Sequence, residues 1–207
     1  NRVIVRHESV NPITIADMAV WDSSDDVDIP FTAVDAGTDT LTLSADTKLI
    51  VWGTKTFEPA GDVTVTGGGA GAAYDGSIQL YTDATWSGQG TELLTIGGSF
   101  ELDTDAVFTS SNGTTTFTTT GSGRVIDVNS DDFNHVEFTG SGSWSVTDPV
   151  LTVGGDLTQT AGTITFPAGT STFSGSFESN GGSFDANSGF ALFDGSGTHD
   201  VTLGGSD

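Results

Sequence analysis

One feature constrains this chain more than any other: it copies itself at an offset of twenty residues. Residues 162–175, GTITFPAGTSTFSG, lie over residues 182–195, GSFDANSGFALFDG, with Gly162 on Gly182, Gly169 on Gly189 and Gly175 on Gly195. Ile164 falls on Phe184, Phe173 on Phe193 and Thr163 on Ser183. The offset extends back to residues 142–155, where Gly142, Trp144, Val146, Val153 and Gly155 meet Gly162, Ile164, Phe166, Phe173 and Gly175. The glycines from Gly162 to Gly195 are spaced 7, 6, 7, 7 and 6. About five residues of strand and two of turn fill each interval, so three intervals make one triangular coil of about twenty residues.

Near copies elsewhere, LTIGG from Leu94, LTVGG from Leu151 and VTLGG from Val201, belong to the same texture. Upstream the period blurs, but short alternating segments continue at Thr40–Leu43, Leu49–Trp52, Asp62–Thr66 and Ser77–Tyr81. No segment sustains a 3.6-residue apolar repeat, and the strongest helical candidate, Ile15–Trp21, is short. The chain is therefore expected to be all-β: a parallel β-solenoid, in the form of a right-handed β-helix, of about eight coils. A coil of twenty residues cannot bury its own apolar face, but stacked coils pair every strand with its equivalents above and below. The alternative is an antiparallel β-sandwich, which Gly/Ser/Thr-rich alternating strands also build.

Composition agrees with an ordered β protein. Apolar residues make up only 35% of the 207 residues, yet there are 13 Phe and 4 Trp. Disordered chains are poor in such residues. The net charge of −23 opposes contact with phosphate backbones and anionic membranes, so neither nucleic acid nor membrane insertion is expected. There is no cysteine, which removes disulfides and thiolate chemistry. The chain begins at Asn1 and carries nothing resembling a signal peptide, which reads as a mature or excised product of a secreted protein.

The phrases LTVGGDLTQTAGTITF, GSFDANSGFALFDGSG and HDVTLGG resemble the repeats of secreted bacterial surface β-solenoids. The families in question are the filamentous-haemagglutinin-like adhesins and autotransporter passengers, and the resemblance covers about residues 90–207. It implies a cell-surface or extracellular location with adhesive or scaffolding duty, and it carries over no catalytic residue.

Residues 1–40 lack the Gly-Thr texture and read as an N-terminal cap or subunit-docking segment, with residues 41–207 as the solenoid. Exposed strand edges invite pairing. The N-terminal strand Arg2, Val3, Ile4, Val5, Arg6 and His7 is expected to dock on the last coil of a second molecule, at Val201 and Leu203. That contact is head-to-tail, does not close, and generates a homopolymer.

The chemical candidates are few. Asp22, Asp25, Asp26 and Asp28 form the densest acid cluster, and calcium is the ion they would suit, although the spacing is not that of an EF-hand and a solvated acidic loop explains it as well. Asp103 and Asp105 alternate on one strand. Asp127, Asn129, Asp131, Asp132 and His135 are the best enzyme candidate, because paired aspartates cleave glycosidic bonds on related folds. The Gly-His-Gly and Arg-x-Lys that accompany them there are missing, so no catalytic role is expected. Trp144 aligns with Ile164 and Phe184 and belongs to the core, whereas Trp52, Trp86, Tyr74 and Tyr81 are open to stacking on a surface glycan. Asn112-Gly113-Thr114 reads as a turn, and also as a glycosylation sequon. The function expected is that of a structural subunit of an extracellular filament, the alternative being an adhesin or a carbohydrate-binding or -cleaving β-helix.

Overall fold

The computed structural model describes residues 13–15, 19–21, 40–43, 48–51, 56–57, 59, 61–67, 76–88 and 90–204, the first two segments as backbone. Every strand pair among them is parallel, and no described residue is helical. The molecule is a β-solenoid, and the antiparallel sandwich is excluded. A parallel neighbour cannot be reached through a two-residue hairpin, which is why the tight hairpin dipeptides are so few.

Successive coils place one strand on each of three faces, except that the first has no third-face strand among the described residues and the last contributes to the first face alone. The first face holds nine strands in chain order: Ile13–Ile15, Leu41–Leu43, Val63–Val65, Leu94–Ile96, Thr114–Phe117, His135–Phe138, Leu157–Gln159, Phe177–Ser179 and Val201–Leu203. The second holds eight: Ala19–Trp21, Leu49–Val51, Ile78–Leu80, Phe100–Leu102, Arg124–Asp127, Ser143–Val146, Thr163–Thr165 and Ser183–Asp185. The third is split in two. Thr56–Phe57, Thr85–Ser87 and Val107–Thr109 form one sheet, and Asp132–Phe133, Val150–Val153, Thr170–Phe173 and Phe190–Phe193 the other.

The twenty-residue offset is the register itself. Trp144 pairs with Ile164 and Ile164 with Phe184, while Val153 pairs with Phe173 and Phe173 with Phe193. Upstream the same columns persist through coils of unequal length: Leu41 pairs with Val63, Val63 with Leu94, and Leu94 with Thr115. Loops between strands absorb the extra residues, since lengthening a loop carries little entropic penalty. The period blurs in the sequence for that reason, although the stack continues. Thr42, Thr64, Thr95 and Thr116 form one outward ladder.

The described residues of the segment Ile15–Trp21 are strand rather than helix. Ile13–Ile15 and Ala19–Trp21 are strands that pair with Leu41–Leu43 and Leu49–Val51. A single turn of helix has too few hydrogen bonds to stand alone, whereas an apolar strand beside an open edge gains a full ladder. The parallel stack thus reaches into the segment expected to cap it.

Most inward positions are apolar and buried. Phe117 lies flat on Phe138, with ring centroids 5.0 Å apart and 13° between planes. Phe57 packs on Trp86 at 4.7 Å. The column Phe117, Phe138, Gln159, Ser179 then turns polar. Gln159 is fully enclosed, and its side chain bonds the carbonyls of Gly162 and Ser183 at 3.1 and 2.9 Å and accepts the Ser179 hydroxyl at 2.9 Å. A buried amide needs such partners, because each lost bond leaves a desolvated polar group.

Candidate functional site: the acidic corner and the open last coil

The cluster Asp127, Asn129, Asp131, Asp132 and His135 occupies the turn where the third face changes sheets. Asn129 and Ser130 both adopt positive φ, 54° and 67°. This left-handed pair stands between the sheet that ends at Val107–Thr109 and the one that begins at Asp132–Phe133. Carboxylates complete it. Asp131 Oδ2 accepts the Phe108 amide at 2.6 Å. From the next coil, Asp148 accepts the amides of Val128 and Ser130 at 2.6 and 3.2 Å, and Asp127 accepts the Thr147 hydroxyl at 3.1 Å.

Burial raises the Asp131 carboxyl above its ordinary value; the Phe108 hydrogen bond opposes this and the Asp132 charge adds to it. Asp148 is raised as well, first by burial and then by Asp127, against the pull of the Val128 amide. These acids hold backbone donors of neighbouring coils. His135 stands apart on the first face, where its Nδ1 accepts the Asp156 amide at 2.9 Å and lies 3.6 Å from Asp156 Oδ2. The corner therefore has the chemistry of a joint: Asp131 and Asp148 are engaged by amides, Asp127 faces Asp148 and takes the Thr147 hydroxyl, and Asp132 is exposed.

That His135 contact belongs to a ladder the sequence reading missed. The residue immediately before the first inward position of the first face accepts, through its side chain, the amide of its counterpart one coil on. Asp62 accepts Leu93 at 2.9 Å, His135 accepts Asp156, Asp156 accepts Ser176 at 2.7 Å, and Ser176 accepts Asp200 at 3.2 Å. Its signal is a polar side chain one residue ahead of the first inward position, as at Asp62, His135, Asp156, Ser176 and Asp200, interrupted at Leu93 and legible only once the strands are aligned. Asp200 is the last member.

The other candidates fall as follows. Trp86 and Trp144 are both core residues, 3% and 1% exposed, which confirms the placement of Trp144 and withdraws Trp86 from any stacking platform. The Tyr81 hydroxyl donates to Gln79 at 2.6 Å. Asp103 receives the Thr82 amide at 3.2 Å, and Asp105 lies exposed nearby. Asn112 and Gly113 form the bend ahead of Thr114–Phe117. Arg2 through His7, the acids Asp22, Asp25, Asp26 and Asp28, and Trp52 and Tyr74 lie outside the described residues. Among the described residues, no group of three or more acids and histidines converges as a metal site. No described helix is long and apolar enough to cross a membrane.

The last coil is where the core meets solvent. Val201 and Leu203 are 51% and 62% exposed, Phe190 75% and Phe193 47%. With Phe166, Phe173, Phe177 and Phe184 they line an apolar hollow of about 170 Å³. In every earlier coil the equivalent inward residues are covered by the next coil: Phe173 sits directly beneath Phe193 and is 1% exposed. The backbone edges of Ser183–Asp185, Phe190–Phe193 and Val201–Leu203 have no further strand among the described residues. No family model, curated protein or solved structure matches the chain, so its likeness to surface adhesins rests on the repeats alone.

Proposed function

We propose that the protein is a structural subunit of an extracellular filament or cell-surface fibre, lengthened by end-to-end β-strand stacking on its last coil. The observation that carries this reading is the apolar end of the described stack, where side chains of the core columns face solvent beside strand edges that have no further partner among the described residues. A soluble molecule seldom leaves a contiguous apolar surface of this kind uncovered unless something docks there. Every strand in the stack runs parallel, so a second copy placed on the end meets it with strands of the same direction. The charge of −23 suits the outside of a fibre, because like-charged flanks keep rods from bundling. The glycan-binding alternative loses support with the burial of Trp86.

Electron microscopy of the purified chain, with and without EDTA, tests the reading. Unbranched fibres of one width, with an axial repeat near a whole number of ~4.8 Å rungs, are expected. Fibres that dissolve on chelation would add a structural calcium, for which Asp22, Asp25, Asp26 and Asp28 are the ligands proposed. Monomers at every concentration would overturn it.

A further inference from the structure

We infer that Asn112 is a glycosylation site, its side-chain nitrogen carrying an N-linked glycan whose first sugar lies against Leu93. The site is on the flank of the stack and does not depend on polymerisation. The donor it takes is a glycosyl phosphate, a sugar activated by phosphate or diphosphate on its anomeric carbon and delivered by a transferase of the cell that makes the chain. Asn112 Nδ2 bonds the anomeric carbon, and the bond from that carbon to the phosphate oxygen breaks. The phosphate leaves with the electron pair, and one Nδ2 proton passes to the transferase.

The turn itself does not call for asparagine. Asn112-Gly113-Thr114 is the only Asn-x-Ser/Thr in the chain, and Asn-Gly signals a tight turn because a type I′ turn needs positive φ at both central residues. Neither Asn112 nor Gly113 is among the described residues with positive φ. The bend is held instead by Ser111, whose hydroxyl accepts the Gly113 amide at 3.1 Å and donates to the Glu92 carbonyl at 2.8 Å. Glycine at 113 has a separate cause, since a Cβ there would run into the Glu92 carbonyl oxygen. No comparable constraint falls on position 112.

Both reacting groups of the motif are left over by the fold. Asn112 is exposed, and its main-chain amide donates to the Gly90 carbonyl at 2.7 Å, but no hydrogen bond holds its side chain among the described residues. Elsewhere the side-chain amides are used: Asn129 donates to the carbonyls of Thr104 and Ala106 at 2.5 and 3.3 Å, and Asn180 to Glu178 at 3.1 Å. Thr114 opens its strand at an outward position beside His135. Its hydroxyl takes no part in the amide ladder that His135 and Asp156 continue.

The surface beside the motif suits a sugar. Through the Asn112 and Ser111 hydrogen bonds the turn lies on the backbone of Gly90 and Glu92, next to Leu93. Leu93 interrupts the polar series of the first face and is 48% exposed. A pyranose ring has a face of C–H groups, and laying it on Leu93 takes apolar surface out of water. The strand Thr114–Phe117 is the fifth of nine on its face, four rungs or about 19 Å from either end. A glycan there leaves the open last coil clear.

Mass spectrometry of the full chain isolated from the cells that make it tests the site. The intact mass should exceed that of the sequence, and electron-transfer fragmentation should place the excess on Asn112. An unmodified Asn112, sugar found only on Ser or Thr, or aspartate at 112 from spontaneous deamidation of Asn-Gly each overturns the assignment. Made in the same cells, N112Q and T114A should lose the added mass and T114S should keep it; N112Q that retains it also overturns the site. Because the Asn112 side chain holds nothing in place, N112Q should melt as the unglycosylated wild-type chain does, which separates loss of the glycan from loss of the fold. Hydroxyl-radical footprinting reads the contact with Leu93. Oxidation of Leu93 should rise several-fold in N112Q while that of Val107, 45% exposed, stays constant. Equal Leu93 oxidation in N112Q and wild type overturns the placement of the sugar.

Discussion

Phe173 and Phe193 occupy the same inward column one coil apart, and comparing their removal separates what a covered rung contributes from what an open one does. Phe173 is 1% exposed and packs against Phe177 at 5.0 Å, Phe193 at 5.5 Å and Phe166 at 6.0 Å. Truncation to Ala removes the transfer energy of the ring and leaves a cavity held open by coils above and below, a loss of about 3–5 kcal/mol. Phe193 is 47% exposed, so only about half of a burial worth 1.5–3 kcal/mol is at stake, and no closed cavity forms. Phe193→Ala should therefore cost about 1 kcal/mol in the isolated chain. Each coil touches only its neighbours, so the Phe173→Ala loss should fall on the coils around it. The measurement is hydrogen exchange at a concentration where the chain is monomeric. Phe173→Ala should speed exchange of the amides of residues 157–203 far more than those of residues 94–138, and Phe193→Ala should barely change either set. Equal effects of the two substitutions, or a uniform change along the chain, would refute the column argument.

Other predictions follow from single contacts. Asp148 and Asp131 are held above the ordinary carboxyl value of 3.8, so the folded state binds their protons more tightly than the unfolded chain. Their contribution is fully present below that value and is lost as pH rises through the folded-state value. Asp148→Asn should flatten that part of the pH–stability curve above pH 3.8, as urea melts across the range will show. Gly182 has φ +106°, and a Cβ there would lie 2.4 Å from the Gly162 carbonyl oxygen, whereas Gly123, at φ +71°, has open space around it. Gly123→Ala should cost only the backbone strain of about 1–2 kcal/mol, and Gly182→Ala clearly more in the same melts. Gln159→Leu should destabilise by about 1–3 kcal/mol through the stranded Ser179 hydroxyl. Adding Ser179→Ala should return much of it, and a double-mutant cycle with no coupling would sink the assignment. Finally, Trp86 and Trp144 are enclosed, so soluble saccharides should not quench their fluorescence.

How much of this was legible beforehand depended on how regular the coil was. Between Gly142 and Gly195 every coil has twenty residues, so register could be read by sliding the sequence on itself, and Trp144, Ile164 and Phe184 were placed in one column correctly. The strands expected around Leu41, Leu49, Val63 and Ile78 are all present, each within a residue of the expected bounds. Their stacking order was not legible, because Val63 and its partner Leu94 lie 31 positions apart and Leu41 and Val63 only 22. The Ile15–Trp21 stretch was left ambiguous for a related reason: in isolation its apolar residues suit either a turn of helix or two short strands, and the neighbouring edge decides for strand at Ile15 and at Ala19–Trp21.

The sequence by itself determined the class of fold and its repeat, because glycine spacing and two-residue apolar alternation are local properties of the chain. Tertiary structure alone decided the roles of the polar residues. Asp131 looked like chemistry and turned out to bridge coils, as does Asp148, which the sequence did not single out, since what a carboxylate does depends on which amide faces it from twenty or more residues away. Trp86 looked available and proved to be core. Conversely, Phe193 aligned with the buried Phe173 and takes its place in the same column, yet at the last described rung it is 47% exposed. Inside and outside are properties of the stack, and a single coil has neither until its neighbours are in place.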